Sequence, residues 1–167
     1  MSRAFVRESD DRPELPIARQ ASSLPPGAKN YITVGGADRL REDLRRLVEV
    51  ERPALVSSDE PDAKRQLMSL DQRIQHLEES LQSAEVVAAP SETNVVRFGA
   101  TVKVRRTSGE EDDYRIVGVD EIDLDRSWVS WLSPIAKALL NAQVGERVPF
   151  KFPSGQEELE IIQVHYE

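Results

Sequence analysis

The sequence predicts an α+β multidomain chain: an N-terminal antiparallel α-helical coiled-coil hairpin, then a C-terminal antiparallel sheet carrying one helix. Three observations predict it. Leu67, Leu70, Ile74, Leu77, Leu81 and Ala84 recur three and four residues apart, the spacing of a coiled-coil seam. A second stripe, Ala37, Leu40, Leu44 and Leu47, precedes it, and the connection between the two contains only Ser57-Ser58-Asp59-Glu60-Pro61. After Ala88-Ala89-Pro90-Ser91 the apolar period drops to two, with Ala100, Val102 and Val104 alternating with Thr101, Lys103 and Arg105.

Residues 1–30 mix Pro13, Pro16, Pro25 and Pro26 with charges such as Arg3, Glu8 and Asp10. That mixture buries too little apolar surface to offset chain entropy, so an extended or disordered tail is expected. Phe5, Val6, Leu15 and Ile17 are its candidates for docking on the body or a partner; a solvated leader is the alternative. The hairpin is expected over 31–86. Thr33 can cap its first helix, whose stripe continues through Glu51 to Ala54 with Leu55 beside it. Pro53 removes a backbone hydrogen bond inside this run and predicts a kink or local irregularity. Pro61 suits the first turn of the return helix. Joined so tightly, the stripes can be buried only by folding back, and arms of about 25 residues would reach roughly 37 Å.

Residues 87–94 read as a linker and 95–167 as the second lobe. Beyond the first strand, Ser108-Gly109 turns into Tyr114–Val119, and further strands are expected at Trp128–Leu132, at Val148, Phe150 and Phe152, and at Leu159–Tyr166. In the last run the apolar side switches between Ile161 and Ile162, which predicts a bulge or strong twist near Ile161. Ser133 can cap the single helix, Pro134 suits its first turn, Ile135, Leu139 and Leu140 can face the sheet, and Asn141 can end it.

With 167 residues, 39% hydrophobic and 31% charged, the chain can supply one ordinary core or two small lobes, which is too little for a large enzyme. A net charge of −8 opposes sequence-independent nucleic-acid binding, which relies on Lys and Arg displacing phosphate counterions; a basic surface on a protein partner fits better. The absence of cysteine excludes disulfides, thiolate zinc sites and cysteine nucleophiles, and is compatible with a reducing cytoplasm. No run approaches the roughly 20 apolar residues of a membrane span, and the N-terminus lacks the apolar core of a signal peptide, so a cytoplasmic protein is expected. Both stripes are used within one chain, and a monomer follows most simply.

Several clusters are candidates for chemistry. Asp59, Glu60 and Asp62 place three carboxylates within four residues at the hairpin turn. They either cap the return helix at the positive end of its dipole or offer hard oxygen ligands to magnesium. Asp120, Glu121, Asp123 and Asp125 lack the glycine and terminal glutamate of a calcium loop and read as a solvated inter-strand loop. His76 and His165 lie far apart without a third ligand. Tyr114, Trp128, Trp131 and Phe150 read as core rings, and no nucleophile triad, phosphate-binding loop or dinucleotide fingerprint occurs, so no independent active site is expected.

Four motifs in register carry a family resemblance. Phe98-Gly99-Ala100, Tyr114-Arg115-Ile116-Val117-Gly118-Val119-Asp120-Glu121-Ile122, Ser133-Pro134-Ile135-Ala136-Lys137-Ala138-Leu139-Leu140 and Val144-Gly145-Glu146 resemble the C-terminal domain of the transcript-cleavage factors GreA and GreB. Tyr31-Ile32-Thr33 with Gly36 and Leu40, Glu51-Arg52-Pro53, and Leu70-Asp71 with Arg73-Ile74 and Leu77 resemble their N-terminal half. The resemblance implies an FKBP-like lobe that grips the rim of the secondary channel of bacterial RNA polymerase while the hairpin passes inward. It further implies acidic tip residues that share a second Mg2+ with the polymerase active site, where the ion activates water to cut backtracked RNA. No tightly bound cofactor is implied.

The family's Gly-Asp-x-x-Glu-Asn-Ala-like tip motif is absent, and the hairpin is shorter by roughly two turns in each arm, about 10 Å. No catalytic residue is therefore carried over by motif, and Asp59, Glu60 and Asp62 stand at the tip by position only. Leu132, Ser133 and Pro134 fall where the family meets the polymerase, Leu132 in place of a small polar residue; Ser133 and Pro134 are equally explained as cap and first-turn proline. Lys64, Arg65 and Arg73 are the bases placed to lie near RNA, with Gln72 and Gln75 flanking Arg73, so weak or no independent nucleic-acid binding is expected. The implied function is a transcription elongation factor that stimulates RNA cleavage. The alternative is a non-cleaving Gre-like regulator, similar to Rnk or anti-Gre homologues, that occupies or competes for the channel.

Overall fold

In the computed structural model, which describes residues 24–167, strand β1 (Asn30–Thr33) runs directly into helix α1 (Val34–Arg46). The docking candidates Phe5, Val6, Leu15 and Ile17, and most of the expected tail, lie outside the described residues. Thr33 has extended backbone, and its hydroxyl accepts a hydrogen bond from Gly36 N–H at 2.9 Å, satisfying one of the free donors that open a helix. A π-helical turn at Leu47–Glu51 follows, then helix α2 (Arg52–Val56). Proline has no N–H, and its ring crowds the carbonyl four residues back, so the irregularity expected at Pro53 takes this form: Arg52 N–H reaches back five residues to Leu47.

The π turn also corrects the expected stripe. One extra residue in the turn advances the apolar ridge by one position, so Leu55, rather than Ala54, packs against Leu47, Leu70 and Ile74, while Ala54 is exposed. Helix α3 (Ala63–Ser83) returns along the first arm. Leu47 meets Leu70 and Ile74, whereas Ala37 and Leu40 meet Leu77, Leu81 and Ala84, so early residues of one arm face late residues of the other. Asn30 Nδ2 donates to the Ser80 carbonyl at 3.2 Å and to Ser83 Oγ at 3.0 Å, closing the end of α3.

Strand β2 (Ala84–Val87) then pairs parallel with β1, from Asn30 opposite Ala84 to Thr33 opposite Val87. The expected hairpin over 31–86 and linker over 87–94 contain no such pair. Parallel strands need a long crossover, and the two helical arms supply it.

Five strands, β3 (Thr101–Arg106), β4 (Glu111–Val117), β5 (Trp128–Ser130), β6 (Arg147–Phe152) and β7 (Gly155–His165), form a sheet in the order β5-β4-β3-β7-β6. All neighbours are antiparallel except β4 and β5. Lys103 pairs with Gln163 and Val104 with Ile161, which leaves Ile162 as the extra residue of the expected bulge. Helix α4 (Pro134–Leu139) lays Ile135, Ala136 and Leu139 on a core of Val96, Val102, Val104, Ile116 and Ile161, all buried, and Asn141 ends it at φ 70°. Tyr114 and Phe150 lie in this core as expected; burial raises the Tyr114 pKa and holds the phenol neutral. Among the described residues no helix is long and apolar enough to cross a membrane.

Ser133 Oγ accepts from Ala136 N–H at 3.1 Å. Removing this cap in Ser133→Ala is expected to cost about 1 kcal/mol in urea unfolding. A loss below a few tenths would show that so short a helix does not depend on it.

Candidate functional site at the tip and base of the helical arms

The turn at the far end of the arms is closed by backbone and serine groups. Ser57 Oγ donates to the Pro53 carbonyl at 3.0 Å, Glu60 N–H donates to Ser58 Oγ at 3.2 Å, and Ala63 N–H donates to the Glu60 carbonyl at 3.1 Å. Helix α3 starts two residues beyond Pro61, and no side chain caps it, because Asp62 has helical rather than extended backbone (φ −89°, ψ −5°). The capping expectation for the tip carboxylates therefore fails. Asp59, Glu60 and Asp62 are exposed, and the nearest ion pair along the chain joins Arg52 to Asp71 at 2.8 Å instead. Among the described residues no group of three His, Cys, Asp or Glu is placed to hold a metal ion, so the three acids do not converge into a site of their own.

Lys64, Arg65 and Arg73 are all exposed on α3. At about 100° per residue, Arg65 and Arg73 lie within about 80° of each other, while Lys64 faces about 180° from Arg73. The helix thus brings two of the three expected bases together. At the lobe, Ser133 is buried with its hydroxyl committed to α4, and Leu132 N–H donates to Ser130 Oγ at 3.1 Å. Pro134 is exposed and Leu132 half-buried, so the surface offered there is apolar.

The base of the arms is held by Glu121, a member of the acidic run expected to be a solvated loop. The 3-10 turn Val119–Glu121 buries Glu121, whose side chain is 1% exposed. Its Oε2 accepts from Thr33 N–H at 2.9 Å and Gly118 N–H at 3.0 Å; its Oε1 accepts from Thr33 Oγ1 and from Arg39 Nη2 at 3.2 Å. One carboxylate from the lobe thereby ties together the end of β1 and the start of α1 through four donors. A Cβ added at Gly36 would sit 1.9 Å from Glu121 Oε1, and one at Gly118 would sit 2.1 Å from the Tyr31 carbonyl oxygen. Asp120 joins the same contact, accepting from Asn30 Nδ2 at 3.4 Å and lying 3.9 Å from His76. Beside it, Arg39, Arg115 and Arg126 place their guanidinium carbons 4.8, 4.6 and 5.4 Å from the centre of the Trp128 ring.

Residues 90–166 match the family described as "Transcription elongation factor, GreA/GreB, C-term". Over a longer stretch, 83% of this chain and 94% of the relative, the chain is 39% identical to transcription elongation factor GreB of Neisseria meningitidis serogroup B. The chain belongs to the GreA/GreB family of transcription elongation factors. Transcription elongation factor GreA of Alkalilimnicola ehrlichii is 38% identical over 83% of this chain and 99% of its own length. A solved structure of GreA/GreB from Nitrosomonas europaea aligns with 25% identity and a TM-score of 0.42, covering 83% of this chain and 99% of that one. The alignment with the Neisseria factor has 154 positions, whereas 83% of 167 residues is about 139, so about 15 positions have no counterpart in this chain, the length of about four helical turns.

In this Gre factor the sequence did carry a signal for the base contact. Gly35-Gly36 opens a helix, where glycine is unfavourable unless another group approaches closely, and Gly118 precedes Glu121 by three residues. The partners are 88 residues apart along the chain, a separation that no local pattern reports.

Proposed function

We propose that this elongation factor acts on bacterial RNA polymerase, with the lobe (95–167) as an FKBP-like docking body and the arms (31–86) as a coiled-coil probe entering the secondary channel. Leu132 and Pro134 are the apolar docking contacts, and Ser133 shapes their loop from behind. Arg65 and Arg73 are the RNA-proximal bases. The observation that carries this reading is the tip: Asp59, Glu60 and Asp62 are exposed at the end of a two-helix arm and are used neither as caps nor in a metal cluster. Exposed charge with no ion-pair partner among the described residues suits an external partner.

The donor chemistry of the tip is right for Mg2+, which prefers carboxylate oxygen, but its geometry does not hold an ion unaided. The chain's own contribution is therefore negative charge delivered on a stiff support to wherever the polymerase places its reacting groups. The test is to add the protein to stalled, backtracked elongation complexes and follow RNA length. Shortened transcripts are expected, and they should disappear with Asp59→Ala/Glu60→Ala/Asp62→Ala while unfolding stability stays within about 0.5 kcal/mol of wild type. RNA of unchanged length beside measurable polymerase binding would overturn the cleavage role.

A further inference from the structure

We propose that the cleft between the start of α1 and the sheet binds a small phosphate monoester, and that the Glu167 side chain is its built-in competitor. The cleft encloses about 240 Å³. Its lining includes Arg115, Arg39, Val34 and Gly35 together with the apolar Phe98 and Val87.

Three observations point to an oxyanion. Arg115 lies on β4 with its side chain only 9% exposed, and among the described residues its buried Nε has no hydrogen-bond acceptor. A buried guanidinium donor left unmade is costly, and a phosphate oxygen is the acceptor that such a fork fits best. Second, the acceptor that Arg115 Nη1 does have is the carboxylate of Glu167, itself 64% exposed. The exposed carboxylate regains water when it leaves, so a better acceptor for Arg115 can replace it. Third, Val34 and Gly35 belong to the first turn of a 13-residue helix, whose leading amides have no acceptor within the helix and whose dipole favours negative charge.

Of the other acids nearby, Glu121 is engaged, accepting from Thr33, Gly118 and Arg39. Asp38 also lines the cleft, and its exposed pair with Arg41 at 2.9 Å does little to screen it, so Arg115 and Arg39 together must outweigh its repulsion of an anion. The Phe98 and Val87 wall has no polar partner to offer and suits an apolar body attached to the phosphate. Because the walls come from the arm, from β2 and from the sheet, a ligand here would contact both parts of the molecule and favour the state in which they are joined. This site makes no use of the polymerase, so its test stands apart from that of the proposed function.

The experiment is a titration of the 15N-labelled full chain, reading the Arg115 Nε–H resonance and the Val34 and Gly35 amides. Inorganic phosphate, phenyl phosphate and benzoate serve as probes. The expected result is one saturable isotherm shared by the three resonances, with phenyl phosphate about tenfold tighter than inorganic phosphate and benzoate weakest. Glu167→Gln should tighten binding several-fold, and Arg115→Met should abolish it; Arg39→Gln, which changes a half-exposed residue, should weaken it in a chain that still folds. Benzoate binding as tightly as phenyl phosphate would overturn the phosphate assignment. An absence of any saturable shift in both wild type and Glu167→Gln, or shifts that survive Arg39→Gln unchanged, would overturn the site.

Discussion

Glu121→Ala is expected to lower the unfolding free energy by about 3 kcal/mol, because it strands the buried Thr33 and Gly118 N–H groups at once. Arg39 contributes less to this loss, since it is 46% exposed and regains water when its partner goes. Glu121→Gln keeps the shape but offers one acceptor oxygen in place of two and sets an NH2 against donors, so a smaller loss is expected. Gly36→Ala should destabilise from the opposite side of the same contact, where a Cβ has no room beside the carboxylate. Equilibrium urea unfolding checks all three, and a loss below about 1 kcal/mol for Glu121→Ala would mean that the base contact is not a structural tie.

The second large effect is expected at Leu47, which is fully buried between the arms against Leu70 and Ile74. Leu47→Ala should cost about 2–5 kcal/mol, with the larger values if the π turn that starts at this residue prevents the arms from closing on the cavity. Met68, 68% exposed on α3, provides the control, since Met68→Ala should change stability by no more than about 0.5 kcal/mol. Urea midpoints at constant slope would separate these outcomes, and equal effects at the two positions would contradict the packing of the arms.

Much of the architecture was legible because it rests on local periodicity. The three-and-four spacing from Leu67 to Leu81 and the alternation from Ala100 to Arg105 each report a face directly. The switch between Ile161 and Ile162 marked a bulge, and Asn141 marked a helix end, because both are backbone events with a side-chain signature. Pro53 announced an irregularity but not its form: a π turn adds a residue, and this moved the ridge from Ala54 to Leu55.

What was missed is non-local. The β1–β2 pair joins residues separated by two helices, and each strand is four residues long, too short for alternation to show. Glu121 was hidden in an acidic run because composition describes the run as a whole, whereas Asp125 is exposed and Glu121 is buried by donors from distant residues. At the tip, the acids were legible as acids; that none of them caps α3 depends on the backbone angles of Asp62, which residue type does not dictate.

The most direct test of the account is whether the arm is held at one angle to the lobe in solution. The chain has no cysteine, so Ser58→Cys at the tip and Lys137→Cys on α4 can carry spin labels without background. Pulsed electron–electron distance measurement should give one narrow population, which broadens when Glu121→Ala is added. A wild-type distribution as broad as that of the Glu121→Ala protein would contradict a probe fixed to its docking body.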